Sequence, residues 1–228
     1  MTGKKTALTL LVWIPLAFLV LSVALVTALR WAPVHRTPVM LKREFQFRRD
    51  PSFSTRQEWV PLEKVSPDLM RAVIASEDCR FVRHHGVDRE ELRAMWRAHR
   101  GKGSRIRGCS TISQQTAKNV FTFGTRTLPR KVMETYWTAL IELIWGKRRI
   151  LEVYLNVVEW GRGIYGAGTA SEEYFATAPS SLTPEQAAAM AICLPKPLQE
   201  RPDHLSPESK RRCGPVIESL PLVHYPNP

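Results

Sequence analysis

The sequence predicts a mainly α-helical domain behind one N-terminal transmembrane helix. Three observations predict it: an uncharged apolar run near the N-terminus, a series of helix-start signals from Ser66 onward, and no Val/Ile/Thr alternation long enough for a sheet. The run from Leu8 to Leu29 holds 22 residues without a charge. About 20 apolar residues cross a hydrocarbon core of about 30 Å as a helix. A cleaved signal peptide is the competing reading, since Val26-Thr27-Ala28 resembles a small-residue cleavage site. The run is long for a signal h-region, which favours a retained anchor. Pro15 inside it is tolerable in a membrane helix.

The chain divides into a short cytoplasmic N-terminus (1–7), the anchor (8–29), an extended linker and lead-in (30–60), a globular domain (61–200) and a C-terminal tail (201–228). Charge leaves topology open. Lys4 and Lys5 precede the span, whereas Arg30, Arg36, Lys42 and Arg43 follow it, and long domains translocate largely regardless of charge. The whole chain carries +12, of which Lys4 and Lys5 supply two. A basic domain held at a membrane attracts anionic headgroups and phosphate-bearing ligands. Zinc-finger spacing, a heptad zipper and RNP-like aromatics are all absent, which argues against nucleic acid. Cys79, Cys109, Cys193 and Cys213 stand singly, without metal-type pairing.

Each helix has its own signal. Ser66 before Pro67 is an N-cap with proline at the first helical position. Met70, Val73, Ile74 and Glu77 then share one face, so Glu77 ends an apolar stripe. Asp88 with Glu91 opens a second helix carrying Leu92, Met95 and Trp96 on one face. The basic, glycine-punctuated stretch 101–108 reads as a mobile loop. Thr111 with Gln114 forms a capping-box pattern before a helix to about Val120. Pro129 starts a helix to about Trp145, Gly146 interrupts, and another runs from Lys147 to Val158. A glycine-rich turn leads to a short helix at 170–175. Thr183-Pro184-Glu185-Gln186 caps an alanine-rich helix that Pro195 and Pro197 end.

Three clusters carry chemistry. They are Glu77-Asp78 with Phe81, His84 and Gly86; the run 110–115 with Lys118 and Asn119; and Arg130-Lys131 with Glu134. Two carboxylates in separate clusters, among hydroxyls, amides and cations, suit glycosyl transfer. That reaction needs a base for an incoming hydroxyl and positive charge for a departing phosphate. Burial at the end of an apolar stripe would raise a carboxyl pKa, as a general base requires. On spacing alone, a solvated helix end and ordinary helix-surface ion pairs remain open for these same residues.

The motifs go further. Glu77-Asp78-x-x-Phe81-x-x-His84-x-Gly86 resembles the first signature of the family 51 glycosyltransferases. Gly108 through Gln115, with Lys118 and Asn119, resembles the second, and Arg130-Lys131-x-x-Glu134 the third. Lys147-x-x-Ile150-Leu151-Glu152-x-Tyr154-Leu155-Asn156, followed by Gly161, resembles the fourth, and 187–195 is loosely similar to the fifth. The five motifs stand in the family's order and cover about residues 60–200. The transpeptidase signatures Ser-x-x-Lys and Lys-Thr-Gly of bifunctional relatives do not occur, so the resemblance is to the monofunctional members.

The resemblance implies a lysozyme-like, mainly α fold on the periplasmic side of a bacterial inner membrane. It implies polymerisation of lipid II onto a growing lipid-linked glycan, with release of undecaprenyl diphosphate. Glu77 matches the general base and Glu134 the second catalytic glutamate. Lys118, Arg130 and Lys131 match residues that contact the diphosphate, and Arg126 joins them. Thr111, Gln114, Gln115 and Asn119 match cleft-lining residues, and Asp78, Phe81 and His84 shape the site around Glu77. The family is often assisted by a divalent cation such as Mg or Mn. The sequence shows no dedicated metal cage and implies no obligatory cofactor. Other cell-wall synthesis proteins are the expected partners. Cys79 and Cys109 depart from the family pattern, and a disulfide between them is conceivable only if both motifs line one cleft. A lysozyme-like lytic enzyme would share the fold and a glutamate, but with the carboxyl acting as an acid. The paired cations around Glu134 favour synthesis, and the intact glutamates argue against an inactive scaffold.

Overall fold

The computed structural model describes residues 2–99, 110–124 and 127–226. The expected loop 101–108, Cys109 and Arg126 lie outside the described residues. The apolar run forms α1 (Thr2–Ala28), 27 residues long. At about 1.5 Å per residue that is about 40 Å, enough to cross a bilayer. Most of its middle section, from Leu11 to Leu25, is exposed apolar surface, the pattern of a helix that faces lipid rather than a core. Its last turns dock on the domain. Val26 and Ser22 are buried, Val26 O accepts a 2.7 Å bond from the Trp145 indole, and Ser22 bonds Tyr136. Phe18 packs on Tyr136 and Trp137 with ring centroids 5.4 and 6.1 Å away.

The lead-in is not simply extended. Thr37 caps α2 (Pro38–Gln46) by accepting from Met40 N at 3.2 Å, with proline at the first helical position. Three scattered prolines made this segment read as linker, although Pro38 is a helix starter. α3 (Pro67–Glu77) begins at the expected Ser66 cap and buries Leu69, Met70, Val73 and Ile74. α4 (Arg89–His99) starts where Asp88 accepts from the N–H groups of Glu90 and Glu91 at 3.0 and 2.9 Å. Its Leu92 and Trp96 face outward.

α5 (Ile112–Phe121) is the central helix, packed between α6 (Leu128–Ile144) and α7 (Gly146–Val157). Gly146 separates α6 from α7 with φ +72°, a left-handed conformation that glycine adopts without steric cost. α8 (Ala167–Phe175) and α9 (Pro184–Cys193) follow, α9 with the full Thr183–Gln186 capping box. The tail also departs from its sequence reading. Ser206 and Pro207 start α10 (Pro207–Ser219), which packs on α9 and α3 through the buried Cys213, Ala188 and Ile192. Tyr225 beyond it lies under the Arg71 guanidinium at 4.9 Å.

One small sheet is present although no Val/Ile/Thr alternation marks it. β1 (Arg56–Gln57) runs parallel to β3 (Ile164–Tyr165), which pairs antiparallel with β2 (Glu159–Gly161). Strands of two and three residues are too short to show alternation. The buried Asn156 amide binds this layer to α7, since it donates to Val60 O at 2.8 Å and accepts from Val60 N at 2.7 Å.

Candidate active site

Glu77 is the last residue of α3, where helical bonding ends and its carboxylate leaves the apolar stripe. Gln115, one turn into α5, donates to Glu77 Oε2 at 2.7 Å. The Tyr154 hydroxyl in turn donates to Gln115 Oε1 at 3.3 Å and holds that amide in place. Burial pushes the Glu77 pKa above the ordinary carboxylate range. The Gln115 bond, Lys118 and Arg212 oppose that shift without reversing it.

Asp78 is buried and is the C-cap of α3, its backbone N–H donating to Ile74 O at 3.0 Å. Its carboxylate accepts from His84 Nε2 at 2.9 Å and from the Ile112 backbone N–H at 2.9 Å. Ile112 is the first residue of α5, so Asp78 fastens the end of α3 to the start of α5. Phe81 packs edge-on to His84 at 6.3 Å, and the Lys147 ammonium sits 4.6 Å from the Phe81 ring centre. Lys147 also donates to Glu142 at 2.6 Å. Thr111 caps α5 in a reciprocal box with Gln114, and its hydroxyl donates to Gly86 O at 2.6 Å. The polar atoms of Thr111 and Gln114 are thus occupied in shaping α5. Gly86 has φ +87°, and a Cβ there would lie 2.8 Å from Thr138 Cγ2.

A cleft of about 620 Å³ opens beside this arrangement. Gln115, Lys118 and Asn119 line it from α5, and Arg130, Lys131 and Glu134 from α6. Glu134 is buried and clamped: Arg130 bonds one carboxylate oxygen and Lys131 the other, the latter at 2.5 Å. One buried acid therefore holds two cations against the cleft wall. Desolvation pulls the Lys118 pKa down, while Glu134 supports its charge.

Of the residues expected from sequence, Gln115, Lys118, Asn119, Arg130, Lys131 and Glu134 line this cleft, and Glu77 reaches it through its bond to Gln115. Asp78, Phe81, His84, Thr111 and Gln114 form the layer that supports it. The cleft also has a wall that motif reasoning missed. Lys42 and Arg43 reach it from α2, and Glu159 from β2. Arg43 pairs with Glu159 at 3.0 Å, and Lys42 donates to Gly124 O at 3.2 Å. Arg43 and Glu159 lie 116 positions apart, and no local spacing rule pairs residues so distant. Among the described residues no group of three or more His, Cys, Asp and Glu side chains is placed to hold a metal ion. The Glu134 oxygens already serve Arg130 and Lys131.

Comparison with known proteins agrees with the geometry. Residues 44–220 match the family model described as Transglycosylase. The biosynthetic peptidoglycan transglycosylase of Stutzerimonas stutzeri is 45% identical over 191 residues, covering 83% of this chain and 77% of that protein. The protein of the same name from Rhodospirillum centenum is 42% identical over 203 residues, covering 89% and 86%. This chain belongs to the biosynthetic peptidoglycan transglycosylase family. It is a glycosyltransferase, with the lysozyme-like helical fold of that family behind one apolar helix. The family match begins within α2 and ends past α10, so it takes in part of the expected lead-in and most of the expected tail.

Proposed function

We propose that this transglycosylase polymerises lipid II into β-1,4-linked glycan strands on the periplasmic face of a bacterial inner membrane, held there by α1. The observation that carries the reading is a half-buried carboxylate of raised pKa, bonded to the cleft-lining Gln115, beside a cleft that a clamped pair of cations lines.

Glu77 is the general base. Its raised pKa makes it a better proton acceptor than an exposed carboxylate, and Gln115 keeps it ionised and aimed. It takes the proton from the 4-hydroxyl of the acceptor sugar. That oxygen attacks the anomeric carbon of the lipid-linked chain and inverts its configuration. The bond to the diphosphate breaks with its electron pair on the departing undecaprenyl diphosphate. Lys118, Arg130 and Lys131 receive the charge that develops there, in a site where water screens it poorly. Glu134 fixes the direction of Arg130 and Lys131. A divalent cation bound to the diphosphate would add positive charge at the leaving group beside Lys118, Arg130 and Lys131. The exposed apolar length of α1 supports delivery of a prenyl-linked substrate from the bilayer.

The test is incubation of the detergent-solubilised full chain with labelled lipid II and, separately, with preformed glycan. Lysozyme-digestible polymer from lipid II supports the reading. Cleavage of preformed glycan without polymer formation would replace it with a lytic one.

A further inference from the structure

A second cavity, of about 510 Å³, lies away from the catalytic cleft where α1 meets the domain. Arg30 and Trp31 line it from the chain just past α1, Trp59 from the segment before α3, and Trp145, Arg148 and Arg149 from the α6–α7 junction. Arg149 is already committed. It donates to Glu152, to Leu29 O at 2.9 Å and to Ala32 O, and it stacks on Trp59 at 5.0 Å. This arginine pins the exit of the anchor onto α7 and fixes the depth of the cavity. Glu152 is neutralised by it and also accepts from Leu62 N at 3.2 Å.

The other two arginines are available. Arg30 is exposed, stacks over Trp31 at 5.3 Å, and pairs with no carboxylate among the described residues. Arg148 is 44% exposed and among the described residues meets only Glu63, which is 52% exposed. An exposed pair of that kind is weak and yields readily to a stronger anion. Three tryptophans and two available arginines thus surround a cavity two residues beyond the end of a membrane-length helix. That is headgroup depth, where tryptophan rings settle and anionic phosphates concentrate.

We infer that this cavity binds the phosphate headgroup of an anionic glycerophospholipid, with Arg30 and Arg148 as its cations and Trp31 and Trp59 against the glycerol and upper acyl chains. The inference rests on the reading of α1 as a membrane helix. It gives the anchor a fixed lipid contact on the face of the domain that the reaction does not use.

The full chain in maltoside micelles is titrated with palmitoyl-oleoyl phosphatidylglycerol or phosphatidylcholine, and retained lipid is counted by native mass spectrometry. The control for net charge is Lys210→Gln/Arg211→Gln on the exposed side of α10. One phosphatidylglycerol retained per chain is expected, at least fivefold over phosphatidylcholine. Arg30→Gln/Arg148→Gln should abolish that preference while the α10 variant keeps it. Equal retention of both lipids, or equal loss in both variants, overturns the site and leaves only general surface charge. Flotation with phosphatidylcholine vesicles tests the anchor separately. A chain that does not float removes the anchor and the depth argument together, whereas one that floats without the lipid preference refutes the cavity alone.

Discussion

Replacing Gln115 with methionine keeps the volume and shape of the side chain but removes the N–H that reaches Glu77 Oε2 at 2.7 Å. That bond favours the ionised carboxylate, so its loss must raise the Glu77 pKa further above the ordinary range. Hydrogen bonds to charged groups contribute about 1.5–3 kcal/mol. Glu77 is only half-buried, so water replaces part of the loss and the lower end applies, about 1.5 kcal/mol. At 1.36 kcal/mol per factor of ten this is about tenfold. A base works only when ionised, and activity disappears as pH falls through its pKa. On the acid limb, kcat/KM for lipid II polymerisation should therefore fall about tenfold in Gln115→Met, the limb moving to higher pH. At high pH, where Glu77 is ionised in both proteins, the two rates should approach each other. An acid limb that stays in place while the whole profile drops would refute the coupling and make Gln115 a substrate contact alone.

Other consequences concern the same framework. Arg130→Met leaves the buried Glu134 with Lys131 as its one hydrogen-bonded cation among the described residues. It should lower unfolding stability by about 2 kcal/mol, read by urea denaturation, and cut kcat by about a hundredfold. Gly86→Ala adds a Cβ 2.8 Å from Thr138 Cγ2 at a left-handed φ and should cost about 2–3 kcal/mol in the same assay. Adding Thr138→Ser removes that methyl, keeps the hydroxyl for its bond to Glu134 O, and should recover the steric share but not the backbone share. Glu77→Gln should raise the melting temperature near neutral pH. A raised carboxyl pKa in the fold means that stability is full below the unfolded pKa and is lost as pH rises through the folded one. The gain should therefore shrink on going to pH 4, and differential scanning fluorimetry across pH checks it.

Much of the site was legible because its signals are local. The Ser66, Thr111 and Thr183 caps fixed where α3, α5 and α9 begin, and these starts set the direction of Glu77, Gln115 and Lys118. The spacing of Arg130, Lys131 and Glu134 within one turn allowed the ion pairs seen here, although spacing alone could not tell a buried acid from a surface pair. What escaped was contact between distant segments. Neither the strands of two and three residues nor the Arg43–Glu159 pair has a periodicity or motif to betray it. α2 and α10 were legible in principle, since Thr37-Pro38 and Ser206-Pro207 are the same start signal as Ser66-Pro67. Their low hydrophobicity and neighbouring prolines obscured it. Thr111 and Gln114 illustrate the converse: residues in a motif whose polar atoms are occupied by the helix cap rather than directed into the cleft.

The most direct test of the account is the rate of lipid II polymerisation by Glu77→Gln, measured at pH 8 on protein shown by circular dichroism to be folded. The amide preserves the shape and the Gln115 contact but cannot accept the proton. A loss of about a thousandfold or more, with melting temperature equal to or above that of the parent, is the predicted result. Polymer formed at a rate within tenfold of the parent would contradict it and move the general base to another residue.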